Sequence, residues 1–242
     1  MEMEEPTLKT RKWIWWIAGI AVVAVIIGYM IMERSLGNNV EIESVIPSQS
    51  ASPSAGGGTT SATGAAAGED QLNGQWTIAD ASKVYWSVTT SRETVNFVDD
   101  AVTGSWTVDL NDPSAMKGEG KVDMSALDSG NGQRDEHVKS DDFLAIGTYP
   151  ESTFTAASFS ELPKEWTEGT SVPVEIKGNL TVKGISKEVV FKSEAAYSGG
   201  QLLLSGTTQV TFSDFGMTNP HNVVLETENE FEVRLELVLT KS

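Results

Sequence analysis

The sequence predicts an all-β domain of about eight antiparallel strands, set behind one transmembrane helix and a disordered linker. Three observations carry this. From Gln75 onward, apolar and polar residues alternate in short runs separated by turn residues; Trp13 to Met32 is an unbroken apolar run; and between them lies a stretch rich in Ser, Gly, Ala and Thr. The divisions that follow are a cytoplasmic N-terminus at 1–12, a membrane helix at 13–32, a flexible linker at 33–74 and the β domain at 75–242.

The run WIWWIAGIAVVAVIIGYMIM holds 20 residues and no charge. As a helix it spans about 30 Å, the thickness of a bilayer's hydrocarbon layer. Trp13, Trp15 and Trp16 cluster at one end and Tyr29 lies near the other, where amphipathic rings favour the interface. Lys9, Arg11 and Lys12 precede the run and only Arg34 follows it closely, so the positive-inside rule places the N-terminus in the cytoplasm and the β domain outside it. The competing reading is a cleaved signal peptide, whose apolar core is about 7 to 15 residues and ends in a small-residue site. This run is longer and is followed by Glu33-Arg34.

The linker, centred on SQSASPSAGGGTTSATGAAAG, is too poor in apolar residues to offset the entropy of ordering it. Its roughly 40 residues give a root-mean-square reach of about 35 Å, enough for the domain to touch the bilayer and swing away. Val40 to Ile46 alternates weakly, the pattern of a stub strand.

In the β domain the last run, FEVRLELVL, puts Phe231, Val233, Leu235, Leu237 and Leu239 on one face and Glu232, Arg234 and Glu236 on the solvated other. Val84, Trp86 and Val88 alternate with Tyr85 and Ser87 in the same way, and Trp106, Val108 and Leu110 with Thr107 and Asp109. Hairpins are predicted at Ser198-Gly199-Gly200 and near Lys183-Gly184. The one helical piece is Arg134 to Leu144, a short surface helix or helical turn. Such strands close into a barrel or stack as a sandwich; periodicity leaves both open.

Composition excludes several functions. The formal net charge is −17, and from Glu69 onward 28 acids face 13 bases, a surface that repels nucleic acid and anionic lipid. With no cysteine, thiolate metal sites, disulfides and a lipoprotein anchor are impossible, and the only histidines, His137 and His221, cannot make a histidine-rich metal centre. There is no nucleophile elbow, Walker loop or zinc-protease motif, so no catalytic residue and no cofactor is expected. Asp128, Asn131 and Asp135 lack the spacing of a calcium loop.

Five segments occur in an order that resembles the YceI family: WTIADASKVYWSV (76–88), RDEHVKSDDFL (134–144), YPESTF (149–154), GNLTVKGISKEV (178–189) and SDFGM (213–217). The resemblance covers the β domain and neither the anchor nor the linker. It implies an extended, lipocalin-like eight-stranded antiparallel barrel whose interior holds a long isoprenoid lipid, of quinone or polyprenyl type. The expected lining is Val84, Trp86, Trp106, Val108, Leu180, Val182, Phe191, Val210, Phe212, Phe231 and Val233, residues that equally suit a filled core. Arg134, Asp135 and His137 are candidates for the polar mouth, or else a surface pair and an unspecialised histidine. Two departures stand out: Phe212 precedes Ser-Asp-Phe-Gly where relatives usually carry Arg, and a membrane helix replaces a cleaved signal. The expected protein is a single-pass, membrane-tethered lipid carrier or reservoir; the alternative is a ligand-free barrel serving as an interaction or cell-envelope module.

Overall fold

The computed structural model describes residues 37–46, 64–220 and 226–242. The expected cytoplasmic segment 1–12, membrane run 13–32 and the centre of the linker lie outside the described residues; among those described, no helix is long and apolar enough to cross a membrane.

The barrel strands are β2 (Gly74–Ile78), β3 (Lys83–Thr90), β4 (Thr94–Asp99), β5 (Val102–Val108), β6 (Lys117–Asp123), β7 (Glu151–Phe159), β9 (Ser171–Val182), β10 (Ile185–Ser198), β11 (Gln201–Thr211) and β12 (Thr227–Lys241). A small pair, β1 (Ala66–Ala67) with β8 (Trp166–Thr167), stands apart. The ten strands pair in the order β11-β10-β9-β7-β6-β5-β2-β12-β3-β4, and β11 closes the ring on β12. Along β12, β2 pairs with Leu239–Lys241 and β3 with Thr227–Glu236, while β4 and β5 pair in turn with β3 and β2. Each couple is therefore one interrupted stave, and the sheet is a closed antiparallel barrel of eight staves. Closure leaves inward side chains in one shared core.

The interruption between β2 and β3 is held by Ser82, which is fully buried. Its hydroxyl donates to the Val238 carbonyl at 3.2 Å and accepts from the Val238 amide at 3.0 Å, replacing the ladder bonds that the kink removes. Both expected hairpins form as two-residue turns. Gly199 and Gly200 have φ of 58° and 80°, and Lys183 and Gly184 have 50° and 73°, the left-handed pair that matches the twist of the flanking strands.

Three features differ from the sequence reading. The linker is one. Residues 38–46, expected to be flexible or a stub strand, form an extended strap over the outer face of the barrel, without strand pairing. Asn38 Oδ1 accepts from the Asn96 amide at 2.9 Å, the Asn96 side chain donates to the Val40 carbonyl at 2.9 Å, and the Glu43 amide donates to Tyr85 Oη at 3.2 Å. At its far end the Val45 amide donates to Glu236 at 2.9 Å. Val40, Ile42, Val45 and Ile46 are half-buried along the strap, and these hydrogen bonds fix its position on the barrel.

The second difference follows from the first. Tyr85 and Ser87 on β3, and Glu236 on β12, point outward as predicted, yet all three are buried, Glu236 completely. The third concerns helices. The predicted 134–144 helix is α2 (Gly132–Lys139): Asn131 caps it by accepting from the Gln133 and Arg134 amides, and Ser140 ends it, leaving 141–144 in turns. Within the expected linker, a one-turn helix α1 (Glu69–Leu72) packs Leu72 into the barrel end. The Lys241 ammonium donates to the Asp70 and Gln71 carbonyls at 3.1 and 2.9 Å, satisfying groups the short helix cannot.

Candidate functional site

The strand directions define two ends. At the α1 end lie the starts of β2 and β6 and the Gly199-Gly200 turn; at the loop end lie the β3–β4 turn, α2, the Lys183-Gly184 turn and residues 212–220. The candidate site is the space between them, inside the barrel. Its wall includes Val84, Trp86, Val102, Trp106, Ser152, Phe154, Leu180, Phe191, Val233 and Leu235.

Large rings face glycines across this wall. A Cβ on Gly118 would lie 2.7 Å from the Trp106 ring, and one on Gly178 would lie 2.6 Å from the Phe154 ring. Glycine at these inward positions is what lets an aromatic side chain lie flat over the neighbouring strand. Phe154 in turn meets Phe191 edge-on at 5.0 Å. The open space left at the centre is about 30 Å³. That is room for about two waters and no more.

All eleven residues expected to line the interior are buried. The structure distributes them unevenly. Val84, Trp86, Trp106, Leu180, Phe191 and Val233 surround the central space. Val108 lies toward the α1 end, and Phe212 belongs to no strand but opens the 3-10 turn Phe212–Phe215 over the loop end. There Phe212 and Phe215 pack on Phe231 at 4.9 and 6.5 Å, and Phe231 reaches Trp86 at 6.2 Å. An aromatic plug thus separates the lumen from the loop end.

The wall is almost without charge. Of the lining residues only Lys121 is ionic, and its ammonium pairs with Glu151 at 2.8 Å among half-exposed side chains. The indole N–H groups of Trp86 and Trp106 and the Ser152 hydroxyl are buried with no hydrogen-bond partner. Buried indole N–H groups normally find an acceptor, so these three groups are exceptions within an otherwise apolar wall.

The three polar candidates stand apart. Asp135 is buried and accepts from the Ser129 amide at 2.9 Å and hydroxyl at 2.6 Å, so it fastens the loop before α2. His137 is exposed and meets the Phe143 ring edge-on at 4.8 Å. Arg134 is half-buried, and burial lowers the pKa of its guanidinium against the opposing pull of Asp135 and Glu93. Asp128 and Asn131 are spent on the Gly130 amide and the α2 cap, and among the described residues no group of acids or histidines is placed to hold a metal.

Asp99 was not singled out from the sequence. It sits at the end of β4 opposite Val84, fully buried. Its Oδ1 accepts from the Ala101 amide at 2.9 Å and its Oδ2 has no partner. Burial pushes its pKa up to about 6. Asp214, in the SDFG turn, is the opposite case: Lys187 at 2.7 Å and the Thr211 amide at 3.0 Å hold its carboxyl below the usual range.

Comparison with known proteins agrees with this architecture. A UPF0312 protein of Shewanella putrefaciens is 30% identical over 121 residues, which is 48% of this chain and 60% of that protein. The protein YceI of Salmonella arizonae is 32% identical over 96 residues, 40% of this chain and 46% of its own length. The chain thus spans about 60% or less of the curated relatives it matches. Among solved structures, Burkholderia cenocepacia BcnA superposes with a TM-score of 0.58 at 19% identity, covering 66% of this chain and 98% of that one. A polyisoprenoid binding domain from Saccharophagus degradans, implicated in plant cell wall breakdown, superposes with a TM-score of 0.56 at 12% identity, covering 70% and 99%. At these identities the likeness is one of fold. Residues 76–239, more than half of the chain, match the model of the YceI-like domain, and the chain belongs to that family.

Proposed function

We propose that this protein is a membrane-tethered carrier or reservoir for an isoprenoid lipid, held by residues 13–32 with its barrel on the extracytoplasmic side. The observation that carries the reading is the closed barrel with an apolar inner wall, built from rings over glycines, in a member of the YceI-like family. Likeness in fold to a polyisoprenoid binding domain supports the choice of lipid.

The wall also favours one kind of lipid. A phosphate head would meet only Lys121, already paired with Glu151, and would lose its hydration with little compensation. A neutral head of quinone type loses far less hydration there and can pack against the Trp86 and Trp106 rings. A lipid drawn from a bilayer is already out of water, so occupancy rests on such contacts and on close packing rather than on hydrophobic transfer.

The central space of about 30 Å³ favours a second reading, a filled barrel serving as an interaction module. One experiment separates the two. The full chain is purified from membranes in detergent, extracted with organic solvent and examined by mass spectrometry, with uptake of a long-chain quinone from liposomes measured in parallel. A co-purified prenyl lipid and saturable uptake are expected. Neither lipid nor uptake would leave the filled barrel.

A further inference from the structure

The strap changes where the leash of this protein ends. Measured to the start of β2, about 40 residues separate the apolar run from the barrel, a flexible reach of about 35 Å. Yet the chain is first fastened at Asn38, whose amide donates to Glu93 at 3.0 Å and whose Oδ1 accepts from the Asn96 amide at 2.9 Å. Glu93 and Asn96 belong to the β3–β4 turn and the start of β4, at the loop end. Only residues 33 to 37 lie between Met32 and Asn38. Five residues extend at most about 18 Å.

The same end carries exposed apolar side chains. Among the described residues, the large hydrophobics that face solvent are Tyr149, Ile185 and Val190, at 40%, 42% and 42% exposure. Tyr149 and Ile185 flank the Lys183-Gly184 turn: a Cβ on Gly184 would lie 2.6 Å from the Tyr149 ring, and Ile185, the next residue, reaches within 3.0 Å of a Cβ on Gly216. Val190 lies further along the outer face of β10. A tyrosine beside an aliphatic side chain on an exposed turn is the pairing that membrane interfaces accept. The charges around it decide which membrane. Asp141 and Asp142 are exposed on the adjoining turn; Lys183, whose ammonium donates to the Asp141 carbonyl at 3.5 Å, offsets one of them, and Lys187 is already paired with Asp214, so the patch stays net acidic and anionic lipid gains nothing there.

We infer that the loop end of the barrel, through Tyr149 and Ile185, is a docking surface for a zwitterionic lipid bilayer. The strap limits the leash so that this end is the one presented. The inference rests on reading residues 13–32 as a membrane span.

The absence of cysteine makes the test direct. Single cysteines are introduced as Gly147→Cys, where a Cβ meets nothing within 4 Å, and as Ala115→Cys, exposed at the α1 end. Each full chain is labelled with bimane and reconstituted into phosphatidylcholine vesicles containing brominated lipid. Quenching at position 147 is expected to be several times that at 115. Adding Tyr149→Ser with Ile185→Ser should remove most of the difference while the protein stays with the vesicles. Asn38→Ala, which removes the side-chain half of the strap's first anchor, should narrow it. Equal quenching at both sites on vesicle-bound protein, or quenching at 147 that survives the double serine variant, overturns the docking surface and leaves the membrane span standing. Protein that fails to float with the vesicles overturns both.

Discussion

The two sides of the barrel are built by different means. From β9 through β12 the strands are long, the ladders run without a break over most of their length, and inward apolar residues alternate with outward polar ones. From β3 to β6 the staves are interrupted, β4 has only β3 as a ladder partner, and the wall beyond it is completed by a single bridge between Val98 and Asp128. Here polar side chains do the joining: Ser82 at the kink, Asn96 beneath the strap and Asp135 before α2, with Glu236 of the adjoining β12 holding the strap's far end. The first side is stabilised by burial that follows from periodicity. The second depends on individual hydrogen bonds, each of which can be removed singly.

The largest expected effect therefore lies on the regular side. Phe191 is fully buried on β10 and packs edge-on against Phe154. Phe191→Ala should cost about 3 to 5 kcal/mol, from lost transfer energy plus the cavity left behind. Denaturant unfolding of the full chain measures it, and a loss under about 1 kcal/mol would mean that the lumen relaxes freely around the missing ring.

The next effect has the opposite sign at neutral pH and belongs to the patched side. Asp99 has a folded pKa raised to about 6 by burial, against about 4 in an unfolded chain. The folded state therefore holds its proton more tightly. The stability this contributes is complete below about pH 4 and is lost as pH rises through about 6, a fall of at most about 3 kcal/mol. Asp99→Asn should flatten that dependence and leave the variant more stable than the parent at pH 7. Unfolding curves between pH 4 and 8 decide it; parallel pH profiles for parent and variant would show that Asp99 is not charged against a buried environment.

Glu236 comes third. Its carboxylate accepts from the Val45 amide at 2.9 Å, the Ser205 hydroxyl at 2.7 Å and the Ser44 hydroxyl at 3.3 Å. Glu236→Ala strips these donors of their acceptor and should cost about 2 kcal/mol. Hydrogen exchange at the Val45 amide should rise with it, since that amide donates to the Glu236 carboxylate.

These residues also mark what the sequence could and could not reveal. Phe231, Val233 and Leu235 declare their face by a period of two, and the glycine pairs at both hairpins declare their turns, so the regular side was legible throughout. Glu236 obeys the same alternation, which predicts a solvated side chain. Its burial comes from Ser44 and Val45, nearly two hundred positions away, with Ser44 at a separation of 192. No local pattern encodes that contact. Asp99 is likewise an ordinary acid by composition, and only the convergence of β4 with β3 encloses it. The eleven expected lining residues are buried, as their alternation implies, whereas the narrowness of the lumen depends on which rings lie over Gly118 and Gly178, a matter of packing rather than of pattern.

The smallest effect is the most informative about the comparison itself. Asn38→Ala removes the acceptor of the Asn96 amide but leaves the Asn38 amide free to donate to Glu93. The Asn96 amide points from the outer edge of β4, where water can replace the lost partner, so the cost should be only about 1 kcal/mol. Its signature is local. Exchange at the Asn96 amide should accelerate well beyond what the global loss accounts for, while amides in the β10–β11 ladder accelerate by no more than that global loss. If the β10–β11 amides accelerate equally, the strap is part of the cooperative core and the two sides unfold as one. If only Asn96 and its neighbours respond, the strap opens on its own, and the patched side is a separate unit of stability that polar contacts alone keep closed.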